Sequence, residues 1–466
     1  MLKYFSAPLF LSFLFTFDSN AQSLTAHAWR GEMLFYGQHL LVQARFTEAN
    51  DSLKGIFISP TQSDDEIQLD EISRKGDSVF FRLPAGLPAR FYGRLKNDSI
   101  RGYFKQGNVR GNFFLAKDDS VKKNPELANL PYTDEEISFT NGKEVFAGTL
   151  SIPKKGKKHP AVIFISGSGA QNRDENVAGF KIFKVLADSF ARRGFVVLRY
   201  DDRNTGKSKG TPVSQSTTAD FAEDVGEAII FLRTRNEVDI KKIGLLGHSE
   251  GCLVATMVAA QNADLKFIIL LSGPSVPGHE IITRQTQLIL AANGTPQINI
   301  DDALNVQNYM FHVIATGSGE DTLENMVLDK AKQDFANMPP AQKKLIEDSD
   351  QVIHAQMVNA MAPVHSVWYK YFLHCDPAIY LSKVHCAVFA TFGEKDLQVD
   401  AAQNLPPMKA LLKQAGNKHF SYKIFPEANH LYQKAWTGNP SEYGLLKKEF
   451  IPGFVNELTR WAKKQK

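Results

Sequence analysis

The sequence predicts an α/β chain: a mainly parallel sheet flanked by helices, carrying a helical lid insertion and preceded by a small all-β domain. Three observations point there. Short continuous apolar runs recur between helical patterns from about residue 133 onward. Runs of that kind are buried on both faces, as in a parallel sheet. The stretch Gly247-His248-Ser249-Glu250-Gly251 stands between one such run and a long apolar helix pattern. Residues 22–120 instead show short apolar–polar alternations broken by Gly, Asn and Asp, the pattern of antiparallel strands.

Taken in order, the chain begins with Lys3 and an apolar run from Tyr4 to Phe17, followed by Ser19-Asn20-Ala21. This predicts a secretory signal over 1–21, cleaved after Ala21. The apolar run is short of the roughly 20 residues of a membrane span. The mature chain is therefore expected to be exported, periplasmic or secreted, with no integral membrane span. In the all-β part, 22–120, Asp51-Ser52-Leu53-Lys54-Gly55-Ile56-Phe57 is echoed by Asp98-Ser99-Ile100-Arg101-Gly102-Tyr103-Phe104. Asp77-Ser78-Val79-Phe80-Phe81 is a weaker copy, and Gly93, Gly102 and Gly111 recur at even spacing. A meander closing into a small barrel or sandwich, with a packing or accessory role, is expected. Charged residues ending at Pro131 mark a linker, 121–132.

The remainder, 133–466, is expected to form the second domain. A strand pair turns at Asn141-Gly142. Buried strands follow at Ala161–Ile165, Phe195–Tyr200, Ile243–Leu246, Phe267–Leu271, Ala387–Phe392 and Tyr422–Phe425. A helix over 217–233 carries Phe221, Val225, Ala228, Ile229 and Leu232 on one face, with Thr217 and Asp220 as its capping box. The last helix, 452–464, has Pro452 in its first turn. Between about 277 and 376 the strand rhythm stops. Helices near 280–292, 301–316, 321–337 and 340–361 are expected there, as a lid over the sheet edge.

Composition excludes several classes. A net charge of +4 over 466 residues is too small to argue for nucleic acid. Three cysteines, Cys252, Cys375 and Cys386, are too few for a disulfide scaffold, and whether Cys375 and Cys386 pair stays open. The sequence shows no phosphate-binding loop, dinucleotide fingerprint or zinc-ligand spacing, so no cofactor is implied.

The chemistry sits at the G-x-S-x-G turn. Strand, sharp turn and helix push the Ser249 hydroxyl above the sheet edge. A serine hydroxyl needs a base in reach and a third group to orient that base. His430, in Glu427-Ala428-Asn429-His430-Leu431, follows the terminal strand. Asp396, in Gly393-Glu394-Lys395-Asp396, follows the strand before it, with Glu394 and Asp400 as rivals. Oxyanion donors are expected from the amides of Glu250 and of Ser168, in the loop Ser166-Gly167-Ser168-Gly169. The loop Asp201–Ser208 is assigned a structural role.

With these residues in view, the chain from about 133 to its end resembles the α/β-hydrolase superfamily. It is similar to exported bacterial carboxylesterases with an N-terminal β-domain, and to catalytic domains of the prolyl oligopeptidase family. The matching stretches are Gly247–Gly251, Ser166–Gly169 with Asn172-Arg173-Asp174, Asp201–Ser208, Gly393–Val399 and Asn429-His430. Two positions depart from the pattern: Ser166 stands where many esterases carry His, and Asn204 where Gly is frequent. The resemblance implies Ser249, Asp396 and His430 as a catalytic triad. The expected activity is hydrolysis of a small-molecule carboxylic ester. The alternatives are a peptidase or acyl-thioester hydrolase on the same triad, or a non-catalytic binding protein of the same fold. Acyl and alcohol preference and oligomeric state stay open.

Overall fold

The computed structural model describes residues 24–118, 130–343 and 349–465, apart from residues 26, 36–37, 50–51, 60–62, 85–87, 108 and 339. The signal segment expected over 1–21 and nearly all of the expected linker lie outside the described residues. The described chain forms two compact units.

The first unit is a closed barrel of eight strands. They are β1 (Ala28–Phe35), β2 (Gln38–Ala49), β3 (Ser52–Ser59), β4 (Ser63–Lys75), β5 (Ser78–Leu83), β6 (Ala89–Lys96), β7 (Ser99–Gln106) and β8 (Val109–Asp118). Closure comes from β8 pairing back onto β1, with Ala28 opposite Asp118. The Asp-Ser echoes fall at the starts of β3, β5 and β7. Gly93 and Gly102 face each other in the β6–β7 ladder. A Cβ on Gly102 would lie 1.9 Å from the Tyr92 carbonyl oxygen, so only glycine lets the backbones approach there. Inward positions alternate along β6, where Ala89, Phe91 and Leu95 are buried. Phe46, Phe57, Phe81, Phe91, Phe104 and Phe113 fill the interior, the Phe81 and Phe91 rings stacking 4.6 Å apart. Each buried ring contributes roughly 1.5–3 kcal/mol.

The second unit is built on an eight-stranded sheet. Its elements are β9 (Tyr132–Asn141), β10 (Glu144–Pro153), β11 (His159–Ile165), the short β12 (Asn176–Val177) and β13 (Phe180–Lys181), α1 (Ile182–Arg192), β14 (Val196–Tyr200), α2 (Thr218–Arg233), β15 (Val238–His248), α3 (Glu250–Gln261) and β16 (Phe267–Leu271). Next come α4 (Gly278–Ala292), α5 (Gln297–Thr316), α6 (Glu320–Asn337), α7 (Pro340–Lys343), α8 (Ser349–His365), α9 (Val367–His374) and α10 (Ala378–Leu381). The chain closes with β17 (Ala387–Gly393), α11 (Ala401–Gln414), β18 (Phe420–Phe425) and α12 (Phe454–Lys464). Strand order is β18-β17-β16-β15-β11-β14-β10-β9. The six strands from β18 to β14 pair in parallel, and β10 and β9 are antiparallel. All six parallel strands therefore deliver their C-terminal loops to one edge.

Two apolar layers cover the sheet. On one face Val225, Ile229 and Leu232 of α2 pack with Val254 of α3 and Met408 and Leu412 of α11. On the other, Phe183, Leu186 and Phe190 of α1 meet Phe454 and Leu458 of α12. Helix α2 opens with the reciprocal Thr217–Asp220 box. Helix α12 differs from the sequence expectation. Gly453 caps it in a left-handed conformation (φ +86°), so Pro452 precedes the helix rather than occupying its first turn. A left-handed residue cannot continue an α-helix, and the start is displaced past the proline.

The insertion between β16 and β17 holds α4 to α10. Its helices bury Val313, Leu323, Val327, Met357, Met361 and Leu373 among themselves. Of the helix expected over 340–361, the described residues form α7 and the longer α8, with 344–348 outside the described residues, and α9 follows after Ser366. The Ser366 hydroxyl accepts from the Tyr369 amide, a new N-cap that starts a separate helix.

Candidate active site

Ser249 stands at the junction of β15 and α3 with φ 54° and ψ −120°, a conformation that a residue with a Cβ adopts only under constraint. The constraint is visible on both sides. A Cβ on Gly247 would lie 2.2 Å from the Gly251 carbonyl oxygen, and one on Gly251 would lie 2.1 Å from that of Ile165. The Ser249 amide donates to the Leu271 carbonyl of β16 at 2.9 Å, which holds the turn to the neighbouring strand. Ser249 remains partly exposed while its neighbours His248 and Glu250 are buried.

The loops after β17 and β18 bring Asp396 and His430 together. His430 Nδ1 lies 2.8 Å from Asp396 Oδ2, with both side chains buried. The other oxygen, Oδ1, accepts the Gln398 and Val399 amides at 2.9 Å each. Burial opposes the charge on Asp396, but His430 and these donors outweigh it and hold the carboxyl below its ordinary range. The rival acids have other work. Glu394 is exposed and accepts the Glu427 amide, while Asp400 caps α11 and pairs with Arg284.

The histidine loop is built by Asn429, whose Oδ1 accepts the Leu431 and Gln433 amides at 3.0 and 2.9 Å. Neither His430 Nε2 nor Ser249 Oγ makes a hydrogen bond among the described residues. Such contacts are often long in unliganded sites and tighten with substrate.

The loop after β11 lies directly on the nucleophile turn. A Cβ on Gly167 would meet Ser249 Cβ at 3.2 Å. The Gly167 amide is occupied by Glu175 Oε1 at 2.7 Å. Among the described residues the amides of Ser168 and Glu250 make no hydrogen bond, which leaves both available to a developing oxyanion. Ser166, the departure noted in the sequence, donates its hydroxyl to Asp202 Oδ1 at 2.7 Å and ties this loop to the next. Asp201 accepts from Arg173 and from the Lys207 amide, and Arg203 pairs with Asp224. Asn204 takes the left-handed backbone that glycine would otherwise supply, with φ 51°.

Several contributors were not singled out from sequence. His248 links Glu175 to the His430 carbonyl. Glu250 Oε1 accepts from Thr218 Oγ1 at 2.7 Å and from Trp368 Nε1 of α9 at 2.8 Å, so the insertion is fastened to the nucleophile turn. A cleft of about 540 Å³ opens beside Ser168, with Ala170, Pro212, Val213 and Trp368 on its walls. The cysteines form no disulfide, and Cys252 donates to the Gly247 and Leu271 carbonyls beneath the turn.

Burial raises the Glu250 carboxyl from its ordinary 4.5 to about 7, against the pull of Thr218 and Trp368. A pKa raised on folding gives stability that is complete below pH 4.5 and is lost as pH rises to about 7. Over that window wild type should lose on the order of 3 kcal/mol that Glu250→Gln does not. Urea midpoints measured at pH 5 and pH 8 for both proteins test this. Parallel pH trends in the two would refute it.

A strained serine turn between strand and helix, a buried Asp–His pair in the loops after the last two strands and two open amides define a serine hydrolase of the α/β-hydrolase fold. The chain belongs to the Hydrolase_4 family, described as serine aminopeptidase S33, whose model matches residues 179–433 and spans Ser249, Asp396 and His430. It is 25% identical over 364 residues to the esterase EstD of Thermotoga maritima, covering 77% of this chain and 75% of that one. A thiohydrolase, apmlB of Arthrinium phaeospermum, is 32% identical over 120 residues, covering 26% of this chain and 37% of its own. Among solved structures, the Pyrococcus furiosus esterase Pf2001 superposes with a TM-score of 0.43 at 14% identity, over 74% of this chain and 94% of that one.

Proposed function

We propose that the protein hydrolyses small-molecule carboxylic esters through an acyl-enzyme on Ser249. The observation that carries the reading is the Asp396–His430 hydrogen bond presented at the same sheet edge as the Ser249 turn. Ser249 Oγ attacks the ester carbonyl carbon, and His430 takes the hydroxyl proton at Nε2. The carbonyl oxygen becomes an oxyanion received by the Ser168 and Glu250 amides. His430 then returns the proton to the leaving alkoxide as the carbon–oxygen bond breaks. Water, deprotonated by His430, attacks the acyl-enzyme, and His430 returns that proton to Ser249 Oγ as the acyl–oxygen bond breaks and the acid leaves. Asp396 holds the His430 tautomer and stabilises the imidazolium.

An ester is favoured over an aminopeptidase substrate by the state of the carboxyls near the serine turn. An aminopeptidase must recognise an α-ammonium group, which calls for a free carboxylate. The nearby carboxyls of Asp202 and Glu250 are engaged by Ser166, Gln171, Thr218 and Trp368. Likeness to the Thermotoga esterase supports the same reading. Chromogenic esters from acetate to decanoate should be turned over, with an optimum set by the cleft. Turnover confined to aminoacyl anilides or to acyl thioesters would replace the ester reading with one of those.

The N-terminal pattern of Lys3, the apolar run to Phe17 and Ser19-Asn20-Ala21 supports export with cleavage after Ala21. Mass spectrometry of the mature N-terminus checks it. A chain that retains residue 1 in the cytoplasm would count against export.

A further inference from the structure

Glu175 and His248 lie outside the proton path described above, yet both are buried against it. Glu175 Oε1 accepts the Gly167 amide at 2.7 Å and lies 2.8 Å from His248 Nδ1. His248 Nε2 lies 3.0 Å from the His430 carbonyl oxygen, and the two imidazole rings are 4.7 Å apart. One carboxylate oxygen and one ring thus connect the oxyanion loop, the nucleophile turn and the loop of the base. Glu175 holds this position with a left-handed backbone, φ 45°, which a glutamate adopts only where its surroundings enforce it.

We propose that Glu175 and His248 are a positioning pair that sets the oxyanion loop and the His430 loop relative to Ser249. The inference rests on the serine hydrolase reading of the site. Both ring nitrogens of His248 face oxygens. A carbonyl oxygen only accepts, so Nε2 carries a proton. Nδ1 faces a carboxylate oxygen already shared with the Gly167 amide, and a proton there makes His248 an imidazolium. Burial opposes that charge, but the Glu175 carboxylate and the two hydrogen bonds outweigh it and raise the proton affinity of His248. The other titratable groups that face the pair are Asp396, Asp202 and Cys252.

The positions held are those the chemistry uses. With its amide bound to Glu175, Gly167 cannot serve the oxyanion, and the next amide, Ser168, is the one presented. With its carbonyl bound to His248, His430 has a defined backbone from which its ring reaches Asp396 on one side and the serine on the other. Glu175→Gln keeps the shape and removes the charge. A buried imidazolium without a counter-ion loses its second proton. The introduced glutamine then either keeps its oxygen on the Gly167 amide and loses His248 Nδ1, or turns its NH₂ to Nδ1 and releases the Gly167 amide.

The experiment uses full-length protein, a chromogenic ester and a fluorophosphonate titrant that counts reactive sites. Per titrated site, Glu175→Gln should lower kcat by about tenfold or more, with KM held within about threefold. Affinity for a boronic acid, which forms a tetrahedral adduct on the serine, should fall in parallel. His248→Gln should behave alike, and the double variant should be no worse than the poorer single one. A kcat per site within about threefold of wild type, or additive losses, overturns the inference. Should the variants not fold, nitrogen-15 NMR of histidine-labelled wild type decides. A proton on His248 Nε2 supports the pair, and a ring protonated only at Nδ1, which cannot donate to the His430 carbonyl, overturns it. Activity that survives Ser249→Ala overturns the hydrolase reading itself. Activity lost in Ser249→Ala but kept in Glu175→Gln overturns only the inference.

Discussion

Replacing Ser249 by alanine should lower kcat on the preferred ester by about 10⁴ to 10⁶, with little change in KM. The magnitude follows from what the hydroxyl does. In the proposed mechanism it is the bond-forming atom, so without it only the open amides of Ser168 and Glu250 and the cleft remain to assist attack by water. The substitution should not perturb the fold. The turn is held by the Ser249 amide bond to Leu271 and by the close approach of Gly247 and Gly251, none of which involves the hydroxyl. Relief of the φ 54° strain is partial, because alanine keeps its Cβ. Steady-state kinetics with matched melting curves test this. A variant that keeps even a hundredth of wild-type kcat would remove Ser249 from the chemistry.

The second large effect is expected of Asp396→Asn, at about 10⁴ in kcat. Asn can present its amide oxygen either to His430 or to the Gln398 and Val399 amides, not to both. Two backbone amides already claim one oxygen, so the side-chain NH₂ turns toward His430. That stabilises the tautomer protonated at Nε2, which cannot accept the serine proton. The stabilising charge beside the imidazolium is lost as well. Asp400→Asn should leave kcat within about threefold, because Asp400 caps α11 rather than touching His430. Measuring both variants on one substrate separates the two acids. Equal losses would mean that the loop, rather than the Asp396 carboxylate, supplies the effect.

The sequence by itself determined the parts whose physics is local. Apolar runs placed β11, β14, β16 and β17 within a few residues, because strands buried on both faces favour apolar residues at nearly every position. Strand β15 begins earlier with exposed polar residues, and β18 is a largely exposed edge strand. The G-x-S-x-G spacing determined the serine turn, since the close contacts at Gly247 and Gly251 leave no room for a Cβ. The Thr217–Asp220 box was legible because both partners lie within one helical turn. The start of α12 was misplaced because Pro452 suits a first turn locally, while the left-handed Gly453 marks the actual boundary. Tertiary structure decided what depends on distant segments meeting. Glu175, His248 and Trp368 carry no local signal, since their partners lie 73, 182 and 118 residues away in sequence. Loop placement and the resemblance favoured Asp396 over Glu394 and Asp400, but which carboxylate faces His430 across the sheet edge is visible only in the folded chain. A parallel sheet makes this general. It gathers loops from remote parts of the chain onto one edge, and the side chains that meet there share a position in space but no pattern in sequence.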